Sequence, residues 1–326
     1  MERKSTMSRL ITRRGFLAAA ATAAVAPGVA FADGGPSPDR GIKVRFLGSG
    51  AAGWKASWAK HPHMRRQSSV LLDGRALIDF TMCSFDMLPE GCRPEVLFQT
   101  HSHGDHYNPV AAVKSGVKRM YVHETWASAA RAEVSAAAAN LGLPAPEVRA
   151  LRFGSFVEEC GMRFMSVPAN HSTSRLTDGV LERTSLYLVE KGPARLLYAT
   201  DTGGICGDAA RMIGIDPHIR NGKTGGDSEF IAPFVHTAKP ITALIMEATN
   251  GDTDDDFRIF VHSSVQTVAR IAGMLKRHGR FTPPPGQHAY ITHLALKYRD
   301  WPAEKVNADI PSNLRAAYDG LEVVLG

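Results

Sequence analysis

From residue 42 onward the apolar residues fall in short runs broken by Gly, Pro, Asn and Asp, a rhythm of strands and helices of modest length. Ile42-Lys43-Val44-Arg45-Phe46-Leu47 alternates apolar with polar, as a half-exposed strand does. Ser69 to Leu72 and Ala76 to Asp79 flank Asp73-Gly74, a hairpin signal. Glu95 to Thr100 is a short apolar run that reads as a buried strand. Asn108, a good N-cap, and Pro109, suited to a first helical position, then open a helix through Val113. A strand is expected at Arg119 to Val122, an Ala-rich helix from Thr125 to Asn140, and two or three short strands up to Val167. A strand pair, Thr184 to Val189 and Arg195 to Thr200, surrounds Gly192-Pro193, and Ile241 to Met246 is a further buried strand. Ser263 to His278 places Val265, Val268, Ile271 and Leu275 on one helical face. His288 to Thr292 reads as a strand, and a last helix and the strand Leu321 to Leu325 close the chain. Strands alternating with helices, with hairpins among them, predict a mixed α/β layered domain.

The first 32 residues read differently. Arg3, Lys4, Arg9, Arg13 and Arg14 precede an apolar, Ala-rich stretch from Phe16 to Ala26, too short to span a membrane comfortably, and Ala30-Phe31-Ala32 offers a cleavage site. Thr12-Arg13-Arg14-Gly15-Phe16-Leu17 resembles a twin-arginine export signal, so residues 1–32 are expected to direct a folded protein to the periplasm or beyond through the twin-arginine machinery. Residues 33–41 read as a Gly/Pro linker and 42–326 as one domain with a well-buried core. The signal also changes the charge argument. Of the net +6, residues 1–32 carry +4 (the five bases against Glu2), so the remainder holds only +2, which argues neither for nor against nucleic acid. None of Cys83, Cys92, Cys160 and Cys206 forms a C-x-x-C pair, which speaks against a cysteine-rich zinc site; all four are expected as core thiols.

The chemistry concentrates in His101-Ser102-His103-Gly104-Asp105-His106. Each of its three imidazoles and its carboxylate can donate a lone pair to a divalent cation. In extended chain His101 and His103 point the same way and can grip one ion together. His106 reaches the same place only if the chain bends, and Gly104 is expected to supply that freedom. The cluster lies between a strand and a helix, where α/β proteins usually hold their chemistry. Further ligands must come from other strand ends. His171 follows Phe164 to Val167, Asp201 follows Leu196 to Thr200, and His293 follows Ala289 to Thr292.

With these residues together the chain resembles the metallo-β-lactamase-fold hydrolases, most of all the branch with RNase Z and the cyclic-phosphate phosphodiesterases. The resemblance runs through Phe46-Leu47-Gly48-Ser49-Gly50-Ala51-Ala52, Arg66-Gln67-Ser68-Ser69-Val70-Leu71-Leu72 and Leu77-Ile78-Asp79 to the HSHGDH cluster and the loops of His171, Asp201 and His293. It implies a four-layer αβ/βα sandwich with two cations at one edge. His101, His103 and His171 would hold one, Asp105, His106 and His293 the other, and Asp201 both. A bridging hydroxide would be the nucleophile, with zinc suiting the histidines and manganese also fitting. Glu247 and His262 resemble the acid–histidine pair that RNase Z-like enzymes set beside the scissile phosphodiester, and with Asp105 they form the expected catalytic set. The RNase Z pattern has a His before that Glu; here it is Met246, and no long basic arm for tRNA is evident. The substrate is therefore expected to be a small or cyclic phosphate ester and not nucleic acid. A lactone or ester-ring hydrolase of the same fold and an iron-dependent oxidoreductase stay open as alternatives.

Other signals matter less. Gly222-Lys223-Thr224 lacks the earlier Gly of a phosphate loop, having Pro217 there. Gly214 to Pro240, rich in Gly and charge, is expected as a loop or lid over the site. Arg66 and Arg175 are candidates to meet a substrate anion, and His61 and His63 to reach the rim.

Overall fold

A computed structural model of the protein describes residues 41–58, 60–215, 239–254 and 257–326. The stretch expected to be an export signal, nearly all of the expected linker, the Gly222-Lys223-Thr224 stretch and almost the whole 214–240 segment lie outside the described residues.

Two seven-stranded sheets face each other. The first contains β1 (Ile42–Gly48), β2 (Ser69–Leu72), β3 (Ala76–Ile78), β4 (Val96–Phe98), β5 (Arg119–His123) and β6 (Glu147–Leu151), in chain order across the sheet. The second contains β7 (Phe156–Glu159), β8 (Met162–Thr177), β9 (Val180–Lys191), β10 (Ala194–Ala199), β11 (Ala243–Ala248), β12 (Ala289–Leu294) and β13 (Leu314–Ala316). The final strand, β14 (Glu322–Leu325), returns to the first sheet and pairs antiparallel with β1. Strands β3 to β6 run parallel, as do β10 to β13, whereas the hairpins β1–β2–β3 and β7 to β10 are antiparallel.

The core explains the layering. Val70, Leu72, Ile78, Phe98 and Tyr121 of the first sheet pack on Phe164, Tyr187, Val189, Leu196 and Tyr198 of the second. Phe98 stacks on Phe164 with ring centroids 4.0 Å apart. The alternate residues Leu71, Leu77, Leu97, Met120 and Val122 turn outward to α1 (Pro109–Lys114) and α2 (Ala127–Leu141). On the far side Leu197, Leu244, Met246 and Ile291 pack on α3 (Gly207–Met212), α4 (Val265–Arg277) and α5 (Ala303–Asp309). Sheets covered on both faces need strands that are apolar all through, which is why their alternation is weak. The architecture is the expected αβ/βα sandwich.

Several local expectations change. Strand β8 does not stop at Val167: it runs through His171 to Thr177, paired with β9 out to Thr177↔Val180. Beyond Val167 one face is exposed, so the apolar run ends while the pairing continues. Hairpin closure, not hydrophobicity, carries the strand onward. Gly104 does not have a left-handed backbone, and a Cβ there would meet nothing within 4 Å, so the bend after His103 does not require glycine. It is closed by the His106 and Tyr107 N–H groups, both donating to the His103 carbonyl at 2.9 Å. Of the thiols only Cys83 is buried; Cys92, Cys160 and Cys206 are half-buried. Arg66 pairs with Asp86 at 2.8 Å and lies 3.6 Å from Asp319, and Arg175 pairs with Glu133, so both guanidinium groups are already engaged by acids.

Candidate metal centre

The sequence N-caps α1 as expected: the Asn108 side chain accepts the Ala111 N–H at 2.9 Å, with Pro109 at the first helical position. This cap fixes the far end of the loop that leaves β4, and the loop delivers His101, His103, Asp105 and His106 to the edge of the first sheet. Across the seam β8 brings His171, the end of β10 brings Asp201, and β12 brings His293. His293 owes its aim to a bulge. Glu247 pairs with Thr292 and Ala248 with Leu294, which leaves His293 as the extra residue at φ 49°.

The donor atoms form two groups, His101–His103–His171–Asp201 and Asp105–His106–His293, each with all its ligand atoms within 4.8 Å of one another. In the first, His101 Nε2 is 3.0 Å from His103 Nδ1 and 3.3 Å from Asp201 Oδ2, and His171 Nε2 is 3.4 Å from His103 Nδ1. In the second, His106 Nε2 is 3.0 Å from His293 Nε2, which is 3.3 Å from Asp105 Oδ2. Asp201 touches both: Oδ2 lies 3.3 Å from His106 Nε2 and Oδ1 3.3 Å from His293 Nε2. Four donors at about 2.0–2.1 Å from a tetrahedral cation stand roughly 3.3 Å apart, so these spacings fit a divalent ion in each group. Asp201 Oδ1 is buried without a hydrogen-bond partner, an orphan acceptor that a shared cation would satisfy.

The second layer fixes which ring nitrogen faces inward. His106 Nδ1–H donates to Asp79 Oδ2 at 2.7 Å, His171 Nδ1–H to the Val261 carbonyl at 3.1 Å, and His101 Nδ1–H to the Thr100 hydroxyl at 3.0 Å. Each leaves its Nε2 lone pair for a cation. Asp79 is fully buried and also accepts the Thr100 N–H and O–H and the Gln99 amide. The Thr249 hydroxyl holds His293 Nδ1 at 2.7 Å. Asp79, Thr100 and Thr249 were missed as site residues by sequence reasoning. Asp79 carried a usable signal, an acid directly after the apolar strand Ala76–Ile78, much as Asp201 stands two residues past the end of β10.

The electrostatics agree with a cation site. Burial pushes His101 down to about 3 and lowers His103 and His171, so all three are neutral donors near neutral pH. Burial raises the carboxyls of Asp201 and Asp105, but His293 and His106 around Asp201, and His106 and His293 around Asp105, outweigh it and hold both well below the ordinary carboxylate range. His106 is opposed by burial, yet Asp201, Asp105 and Asp79 drive it well above its ordinary value, and His293 is raised as well. Three carboxylates at one buried point demand positive charge, supplied by protons on these imidazoles or by metal.

A second unit adjoins the ligands. Glu247, fully buried, accepts the Thr202 N–H at 2.6 Å, the Thr249 N–H at 3.0 Å and His262 Nδ1–H at 2.9 Å. The His262 ring lies 5.0 Å from that of His171 and 6.4 Å from that of His293. Burial alone would lower His262; Glu247 outweighs it and raises the imidazole.

No curated protein matches the sequence closely. Solved structures share the fold across most of their length. The short form of human tRNase Z superposes with a TM-score of 0.57 at 15% identity, covering 87% of this chain and 99% of its own. The metallo-beta-lactamase fold protein YhfI of Bacillus subtilis gives 0.53 at 12%, covering 87% and 99%. Zinc-bound PqqB of Methylobacterium extorquens gives 0.52 at 16%, covering 86% and 99%. Residues 87–276 match the sequence profile of the beta-lactamase superfamily domain, and with two facing sheets and paired His/Asp groups suited to divalent cations, the chain belongs to the metallo-β-lactamase superfamily.

Proposed function

We propose that the protein is an exported dinuclear metal-dependent phosphodiesterase acting on a small or cyclic phosphate ester. His101, His103 and His171 would hold one cation and Asp105, His106 and His293 the other, with Asp201 facing both. Cations bound there would supply Lewis acidity and a more acidic water. The single observation that carries the phosphodiester reading is the Glu247–His262 pair beside both ligand groups. Glu247 orients the ring and favours its charged form: the carboxylate accepts Nδ1–H, and the imidazolium has a second proton, on Nε2, to give to the departing oxygen, returning to the neutral ring. His262 keeps its side chain 17% exposed, so a substrate can meet it, whereas Glu247 is sealed. The structure of tRNase Z shares the fold, but residues 42–326 carry no evident basic arm, which favours a small ester over a nucleic acid. Residues 1–32 act as the twin-arginine signal and place the enzyme in the periplasm or outside the cell.

The test is a metal analysis of the purified protein together with turnover of a chromogenic phosphodiester and a lactone at equal concentration. Two equivalents of zinc or manganese with selective phosphodiester cleavage supports the reading. Selective lactone opening points to the ester-ring alternative, and bound iron with redox turnover points to an oxidoreductase.

A further inference from the structure

Glu182 takes no part in the arrangement above, yet it is 1% exposed, and no ion pair joins it among the described residues. It sits on β9, where its neighbour Arg183 pairs with Ser172 of β8, and its carboxylate accepts the Ser102 N–H at 2.7 Å and the Ser102 O–H. Ser102 stands between His101 and His103 on the loop from the first sheet. Ser172, the β8 residue paired with Arg183, directly follows His171 in the second sheet. One carboxylate thus ties the loop that carries His101 and His103 to the strand paired with the one that carries His171. Burying an acid is costly, and burial pushes this carboxyl up; a joint needed only for packing is served as well by apolar side chains.

We propose that Glu182 is a positioning residue for the His101–His103–His171 cation site, holding the Ser102 backbone so that His101 Nε2, His103 Nδ1 and His171 Nε2 keep their mutual spacing. The inference rests on the two-cation reading above and deepens it. Its consequence is asymmetric. The Asp105–His106–His293 group has its own supports in Asp79 and Thr249, so losing Glu182 weakens one site and spares the other.

The experiment uses the full chain, equilibrated with zinc against graded concentrations of a competing chelator, with bound metal counted by elemental analysis. Wild-type protein is expected to hold two zinc ions where Glu182→Ala holds one, its weaker site losing about 10- to 100-fold in affinity. Glu182→Gln keeps an acceptor for the Ser102 N–H and offers an amide donor to Ser102 Oγ, so it restores most of the loss. Ser102→Ala lowers the same affinity by less, and adding it to Glu182→Ala lowers it no further, because both act through one contact. Should Glu182→Ala fail to fold, Ser102→Ala and Glu182→Gln carry the test. Variants that fold and hold both ions as tightly as wild type overturn the inference and leave the two-cation reading standing. Wild-type protein that takes up no zinc overturns both.

Discussion

Replacing His262 by alanine separates a proton donor from a bystander. Among the described residues the ring is anchored at one nitrogen, by Glu247, and retains 17% exposure, so its removal opens no sealed cavity and leaves Glu247 the Thr202 and Thr249 N–H groups. The fold should therefore survive, and the effect should appear in the chemistry. A positioned general acid contributes about 10²- to 10⁴-fold, which corresponds to roughly 3–5 kcal/mol of transition-state stabilisation. That contribution matters only where the departing oxygen is a poor anion. The assay compares kcat/KM of wild type and His262→Ala on two diesters, one releasing an aryl oxide already stable as an anion, the other an alkoxide. The alkyl diester should lose about 10²- to 10⁴-fold and the aryl diester no more than about tenfold. Because Glu247 raises His262, the wild-type rate should hold as pH rises until the imidazole loses its proton. In Glu247→Gln that fall should come at lower pH, since the charge that raised the ring has gone. Equal losses on both diesters would falsify the assignment: His262 would then bind or position the substrate without giving it a proton.

Other consequences can be checked without a substrate. Burial raises Asp319 to about 6 from its ordinary 3.8, though it accepts from Ser49 Oγ and the Arg66 N–H, so the folded state keeps this proton to higher pH than the unfolded chain. The contribution favours folding at low pH and is lost as pH rises through about 6; Asp319→Asn lacks it, and the stability difference between the two proteins should shift by about 1.4 kcal/mol in favour of the variant between pH 5 and 8. Denaturant titration at both pH values checks this, and a difference that does not move with pH rejects it. Gly104→Ala should keep the fold and its metal, with stability unchanged or raised by up to about 1 kcal/mol in thermal unfolding, since its Cβ enters open space. Loss of bound metal in that variant would show that the loop needs glycine after all. Replacing Arg13 and Arg14 together by lysine should leave the protein in the cytoplasm on fractionation, and continued export would reject the twin-arginine reading.

What the sequence made legible was whatever lies next to an apolar run. The HSHGDH loop after β4 and Asp201 after β10 stand where a buried strand gives out, and that rule located them. His171 was found by the same rule for a different reason: β8 continues past it, but with an exposed face, so the apolar run stops where the strand does not. Apart from Asp79, the partners of the ligands could not be read, because no period links them. Thr249 meets His293 across 44 positions and Glu182 meets Ser102 across 80. One bond joins neighbouring strand ends of the second sheet and the other joins the two sheets, and only the folded chain brings either pair within reach. The return of β14 to the first sheet is equally silent, since a short apolar strand fits the edge of either sheet.

The same geometry explains why this edge, among all strand ends, became the site. Asp79, Asp201 and His293 have φ of 53°, 49° and 49°, in the left-handed region that non-glycine residues avoid. Each costs about 1–3 kcal/mol and persists only where its surroundings leave no alternative. Those surroundings are visible: the Asp79 N–H donates to the Phe98 carbonyl, Thr202 after Asp201 is pinned to Glu247, and the Leu294 N–H after His293 donates to the Ser49 carbonyl. An extended backbone at these positions would continue the pleat and send each side chain to one face of its sheet. The left-handed kink breaks that alternation, and there Asp201 and His293 join the two donor groups while Asp79 meets His106. The parallel strands β3, β10 and β12 thus end in strain at a common place, and the charge gathered there is what makes that strain worth keeping.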